Sequence, residues 1–365
     1  MSDNQNAKGG GIVSLALHGQ DPRGWGQQHG EHFRAGVREL YDIRIGLTLQ
    51  RMDLVDEKEV LALAAKHIPV LQDFDEALYQ ETCGIADATD LSVEQILLLN
   101  HYTDFRDLSK SALRAEEEAK DDGGCSVIFK LTDEGPLLSQ TWDMHGTATN
   151  HVMLLEVPGK DGEEKTLLFS IHGCLGMTGL TSSGLGMTIN NLNSVDATIG
   201  VMWPALVRRC LREGNAKGAL EVLQNAKIGS GHHYVVADEH ELFGLTTSGQ
   251  KKKLLMEGHN GVHLHTNHVV DDEMAATCRV PEGSSSFWRR DKLEALKAGA
   301  MPSSSKAIYD SFDDVSMALS VEDPHKSSTC GAVLMNLRTK EMWACKGLPK
   351  DSAPAVLSAL GAEHD

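Results

Sequence analysis

The stretch Asp121-Asp122-Gly123-Gly124-Cys125-Ser126-Val127-Ile128-Phe129 joins two textures of sequence. A charged, loop-forming run ends in two glycines, and a cysteine then opens an apolar segment with the composition of a buried strand. One reading makes Cys125 a core residue of that strand. The other makes it a nucleophile exposed by a cut between Gly124 and Cys125, which would give the thiol its own α-amine as base. An α-amine has a reference pKa of about 7.7–8.0, suited to proton transfer near neutral pH. A glycine before the cut puts no Cβ in the thiol's path and tolerates strained backbone.

Upstream of this junction the sequence predicts helices. Phe33, Val37, Leu40, Tyr41 and Ile45 recur at helical spacing within 24–52. Residues 57–67, 73–83 and 92–102 read as further helices, the second ended from the first by Pro69 and the third capped by Ser92. Residues 109–122, with few core side chains, read as an exposed segment. Downstream, 125–131, 137–142, 152–157 and 166–171 are short, apolar or alternating, and separated by turn residues, as in an antiparallel sheet. A strand at 184–190, helices at 203–213 and 216–226, strands at 234–237 and 242–247, a helix at 285–296 and a hairpin over 331–344 follow. This order predicts an α+β layered domain rather than regular βαβ alternation.

Bulk properties narrow the partners. The chain has 365 residues and ample apolar content for one large core. A formal charge of −18 disfavours nucleic acid and anionic membrane as partners. The N-terminus has no apolar signal core, and no run approaches transmembrane length. Seven cysteines without a C-x-x-C pair fit reduced thiols, so a cytoplasmic location is expected. No G-x-S-x-G, dinucleotide loop or P-loop is present, and the glycines of 173–179 read as a turn. His263, His265 and His268 lie close together, and His232 and His233 are adjacent. They lack zincin or cysteine-pair spacing, so no metal is assigned. A different class of protein, non-catalytic, His-rich and metal-binding, with Cys125 as plain core, is the alternative.

Four segments in order carry a resemblance: Gly124-Cys125-Ser126-Val127, Thr141-Trp142-Asp143, Gly184-Leu185-Gly186-Met187-Thr188-Ile189-Asn190, and His265-Thr266-Asn267-His268. Together with Gly24-Trp25-Gly26-Gln27-Gln28-His29-Gly30, they resemble the acyl-coenzyme A:6-aminopenicillanate acyltransferase family. This is the C45 group of self-processing N-terminal-nucleophile hydrolases. The resemblance implies an αββα sandwich of two antiparallel sheets between helical layers. It also implies a 1–124 helical fragment and a 125–365 fragment that stay associated as one domain after autocleavage, with a homo-oligomer left open. Cys125 is then the nucleophile, Asp143 orients the terminal amine, and Asn267 and Asn190 serve the oxyanion, Asn191 competing for the latter role. Arg289, with Arg290 as competitor, His268 and Trp142 are the implied substrate-binding residues. The implied activity is cleavage or transfer of the acyl group of a small N-acyl amide or acyl thioester. It needs no cofactor, and acyl-coenzyme A would be a substrate. A choloylglycine or penicillin V acylase-type amide hydrolase is the alternative within the same chemistry.

Overall fold

The computed structural model describes residues 11–51, 56–108, 124–159, 164–259, 261–281, 283–351 and 353–360. The exposed segment expected at 109–122, and Gly123, lie outside them.

Among the described residues the strands form two sheets, of nine and six strands. The larger runs, in spatial order, Val13–Ala16, Val152–Pro158, Lys165–Ile171, Thr178–Thr181, Gly186–Ser194, Gly231–Ala237, Leu242–Thr247 and Lys252–Glu257, with Cys278–Arg279 paired beside Gly186–Ser194. The smaller runs Val262–His265, Val127–Thr132, Gly135–His145, Ser327–Asn336, Glu341–Lys346 and Ala355–Ser358. Pairing is antiparallel throughout except between Val13–Ala16 and Val152–Pro158, which are parallel. The parallel strand at the N-terminus was not foreseen: four residues carry too little alternation to register as a strand.

Strand periodicity sorts the side chains into layers, because successive residues face opposite ways. Val127, Phe129, Leu138, Val333 and Met335 belong to the main core. Their neighbours Ile128, Leu137, Ala332 and Leu334 join Leu293, Ile308 and Phe312 in a second core. That second core lies under the helices Ser285–Ala298 and Ser305–Asp310. The helices Trp203–Leu211 and Ala216–Asn225 pack on strands of the larger sheet. The layers therefore run α-β-β-α, as expected.

The expected first helix is two, Pro22–His32 and Arg34–Arg51, broken at Phe33. Pro69 does end one helix, and it also occupies the first turn of the next, Ile68–Phe74, where its missing N–H costs nothing. Ser92 and Gln95 form a capping box. Three buried polar contacts tie the helical third to the rest of the chain. His29 Nε2 accepts from the Gly173 N–H at 2.9 Å. Asn100 receives the Leu175 N–H at 3.0 Å. Glu81 takes a bidentate pair from Arg208 at 2.7 and 2.8 Å.

Candidate active site

The register of the small sheet assembles the site. Val127 lies opposite Gln140, and the same register carried back to Gly124 places it opposite Asp143, where the two residues exchange N–H···O bonds of 2.7 Å each. Across the other edge Val127 lies opposite His265, so two further residues bring Asn267 level with Cys125. Asn267 Oδ1 accepts the Cys125 N–H at 2.7 Å. Strand alternation turns the Cys125 side chain inward, with Val127 and Phe129, to the core between the sheets. Gly124 and Ser126 consequently face outward, toward the helix Ser285–Ala298.

Arg289 of that helix meets them. It is fully buried, and its guanidinium donates from Nη1 to the Cys125 carbonyl at 2.9 Å and to Ser126 Oγ at 3.1 Å. Nη2 donates to Asn267 Oδ1 at 2.9 Å. Ser285, one turn back, receives Nε at 3.2 Å and steadies the fork. Asp143 Oδ2 stands 3.7 Å from Nη1, and Thr329 donates its hydroxyl to Asp143 Oδ1 at 2.7 Å. A shift of register beside Thr329 breaks the ladder opposite Asp143 and Trp142, a disturbance of the kind common next to active sites. Asn190 Nδ2 donates to the Cys125 carbonyl at 2.8 Å.

The expected residues Cys125, Asp143, Asn190, Asn267 and Arg289 therefore meet in one place. Asn190, not Asn191, reaches Cys125 with its side chain, and Arg290 turns away to the Leu264 carbonyl and Glu294. Asn267 differs from expectation in polarity. It offers the Cys125 nitrogen an acceptor, while its Nδ2 donates to the Asn191 carbonyl at 2.9 Å. His268, expected to bind substrate, lies outside the cavity wall. Its ring is hydrogen-bonded to Ser286 at 2.8 Å and stacked on Phe287.

Gly124 packs directly against two of these side chains. A Cβ there would sit 2.3 Å from Arg289 Nη2 and 2.6 Å from Asn267 Oδ1. Contacts that short do not occur, so only glycine fits against the buried guanidinium.

The Cys125 thiol borders a cavity of about 40 Å³, room for about three waters. Trp142, Met144, Phe169, Met177, Ile189 and Trp203 give it a largely apolar wall. Gln140, which sequence reasoning missed, spans the two sheets at its edge: Nε2 donates to the Ile189 carbonyl at 2.7 Å, and Thr178 Oγ1 donates to Oε1 at 3.0 Å. Burial, reinforced by the Asp143 carboxylate, pushes the Cys125 thiol up to about 12. The sulfur is therefore a protonated thiol at neutral pH.

His233, His263 and His265 do come together, with His233 and His263 Nε2 atoms 3.1 Å apart and His265 stacked on His233. Burial drives His233 and His265 well below the ordinary imidazole value and His263 to about 4. Among the described residues no group of three or more His, Cys, Asp or Glu is placed to hold a metal ion. Nor, among them, is any helix long and apolar enough to cross a membrane.

The layers form an αββα sandwich, and Cys125 stands just ahead of the strand Val127–Thr132 with its side chain in the core between the sheets. Residues 131–351 match the family described as acyl-coenzyme A:6-aminopenicillanic acid acyl-transferase. The chain belongs to that family. It is 24% identical over 277 residues to the 40 kDa form of acyl-coenzyme A:6-aminopenicillanic-acid-acyltransferase from Emericella nidulans, covering 75% of this chain and 74% of the relative. Among solved structures it is partly similar to a penicillin V acylase from Agrobacterium tumefaciens, with TM-score 0.44, 14% identity, and coverage of 64% of this chain and 84% of that one. A conjugated bile acid hydrolase from Clostridium perfringens gives TM-score 0.45 and 13% identity, covering 61% of this chain and 89% of that one.

Proposed function

We propose that the chain is a self-processing amidase or acyltransferase that works through a Cys125 acyl-enzyme. The observation that carries this reading is the convergence on Cys125: its nitrogen is held by Asn267, its carbonyl by Asn190 and Arg289, and its thiol faces an apolar cavity.

Maturation would begin with thiol attack on the Gly124 carbonyl. The S–C bond forms, the C–N bond to Cys125 breaks, and the nitrogen takes up the thiol's proton to become a free amine. The Asp143 N–H, 2.7 Å from the Gly124 oxygen, is the donor for the negative charge that develops there. Water then hydrolyses the thioester, releasing the Gly124 carboxylate and restoring the thiol. The two fragments stay associated because residues on both sides of the cut share one core.

In turnover the new amine is the base that a buried, protonated thiol lacks. Asn267 Oδ1 holds one amine hydrogen and leaves the nitrogen lone pair for the thiol. Asp143 and Arg289, an ion pair behind the amine, fix its orientation. The sulfur attacks the carbonyl of a small N-acyl amide or acyl thioester, and the thiol proton leaves with the amine or thiol. Trp142 and its apolar neighbours take the acyl group. Water or an amine completes the cycle by accepting the acyl group. No cofactor enters the hydrolysis, and acyl-coenzyme A would serve as a substrate. The Emericella relative is named as a transferase that uses such a thioester, which favours including transfer.

A hexanoyl thioester of N-acetylcysteamine tests this reading. Rapid acid quench and mass spectrometry should show one hexanoyl group on the fragment starting at Cys125. Labelling elsewhere, or turnover by Cys125→Ala, would refute it.

A further inference from the structure

The wall of the cavity formed by the larger sheet carries a polar device that the nucleophile does not use. Asn191 and His232 are register partners on Gly186–Ser194 and Gly231–Ala237, and both line the cavity. Behind His232, from the helix Tyr102–Asp107, stands Asp104, only 2% exposed. His232 Nε2 lies 3.3 Å from Asp104 Oδ1, and His101 Nδ1 lies 3.0 Å from Asp104 Oδ2. His101 Nε2 is in turn 3.2 Å from His67 Nδ1, which is 2.8 Å from the Gly200 carbonyl.

The proton positions follow from the acceptors. The Gly200 carbonyl can only accept, so His67 carries its proton on Nδ1, and His101 Nε2 is left as an acceptor. His101 then carries its proton on Nδ1, facing Asp104. The carboxylate likewise requires a proton on His232 Nε2. Burial alone would raise the Asp104 carboxyl, but His232 and His101 more than reverse this and hold it well below the ordinary carboxylate range. Asp104 is thus an ionised carboxylate buried behind the cavity wall. The neighbouring carboxylate, Asp107, has Arg106 at 2.8 Å.

With Nε2 turned to the Asp104 carboxylate, in charge contact rather than a hydrogen bond, His232 has Nδ1 left as its acceptor. Asn191 matches it. Arg106 donates to Asn193 Oδ1 at 2.7 Å, so the Asn191 atom 3.3 Å from that oxygen is the Nδ2 donor, and Asn191 Oδ1 is the remaining end. Among the described residues neither His232 Nδ1 nor Asn191 Oδ1 has a hydrogen-bond partner. Both atoms are buried, and both accept. Trp142 and Trp203 add aromatic faces to the same cavity, which attract cations.

We propose that Asn191 and His232, the latter set by Asp104, form a recognition site for a primary amine or its ammonium ion. Two paired acceptors, a buried negative charge and indole walls suit an N–H donor and repel a carboxylate. Taken with the proposed function, on which this assignment of role rests, the group bound is the amine that leaves the acyl-enzyme or attacks it. His232 and Asn191 would then contact substrate, and Asp104 would act as a positioning residue through His232.

Ethylammonium is the probe, and formate, also of three heavy atoms, is the comparator. In the full chain labelled with ¹⁵N-histidine, the His232 signals are those missing from His232→Gln. His232 should show an unprotonated Nδ1 whose resonance moves on titration with ethylammonium and not with formate. Affinity for ethylammonium should fall at least about tenfold in His232→Gln and in Asn191→Leu, the second guarding against poor folding of the first. A protonated Nδ1, a response to formate instead, no response to ethylammonium, or unchanged affinity in both variants would overturn the proposal. None of these readouts needs Cys125 chemistry. Ethylammonium binding without a hexanoyl-Cys125 adduct would sink the proposed function alone, and the converse would sink this site alone.

Discussion

Gly124→Ala tests the packing on which the site depends. Its Cβ would lie 2.3 Å from Arg289 Nη2, 2.6 Å from Asn267 Oδ1 and 3.0 Å from Arg289 Cζ. Ordinary carbon contacts need more than about 3.4 Å, so the guanidinium must retreat by about 1 Å. Arg289 is fully buried, and its bonds to the Cys125 carbonyl and Asn267 are both 2.9 Å. A retreat of that size breaks both. Hydrogen bonds to a charged group are worth about 1.5–3 kcal/mol each, and partial relaxation recovers some of this. The expected loss of stability is about 2–4 kcal/mol, within the range of overpacked and bond-breaking core changes. Misplacing reacting groups by about 1 Å costs on the order of 10² in rate, so fragment formation should slow by that factor or more. Denaturant titration gives the first quantity and a time course of intact mass the second. Arg289→Ala removes most of the obstacle. Adding Gly124→Ala to it should therefore cost at least about 1 kcal/mol less than in the wild-type background. Strict additivity, or a Gly124→Ala chain that folds and cuts normally, would refute the reasoning.

Other perturbations separate chemistry from scaffold. Asn190→Ala removes one of two donors to the Cys125 carbonyl, so kcat should fall by about 10² while the thermal midpoint stays within a few degrees. Glu81→Ala strands the buried Arg208 and should cost about 3–5 kcal/mol, read by denaturant titration, with the acyl-enzyme still forming in whatever folds. Burial lowers His29, His67 and His172 to about 3 and His151 and His263 to about 4. The unfolded chain therefore binds more protons than the folded one below about pH 6.5, and each such group removes up to about 1.4 kcal/mol per pH unit as pH falls from there toward its own folded value. Stability should be level above pH 7 and drop steeply between pH 6 and 4, and a flat profile across that window would contradict the assignment of neutral, buried imidazoles.

Much of this was legible in the sequence because it is local. The helical third, the capping box at Ser92 and the strand texture from Cys125 onward all follow from spacing and composition. The approach of Asn267 to Cys125 was given by motif order, and the register of three strands explains it. What stayed hidden depends on contacts between distant segments. Thr329 reaches Asp143 across 186 residues, and nothing near Thr329 marks it. Gln140 looks like any polar residue on a strand until its amide is seen bridging two sheets. His232 was visible only as one of an adjacent pair. Opposite faces of one strand send His233 to the stacked histidines and His232 to Asp104, a division that period-two alternation predicts once the strand is known. His268, implied by the resemblance to bind substrate, sits instead against Ser286 and Phe287, a placement that only the tertiary packing decides.

The central claim is that Cys125 becomes a chain terminus. Intact-mass measurement of the purified full chain tests it directly. The expected result is two fragments, Met1–Gly124 and Cys125–Asp365, with Cys125→Ala remaining one chain. A single uncut mass for wild-type protein that carries full amidase activity after long incubation would contradict it.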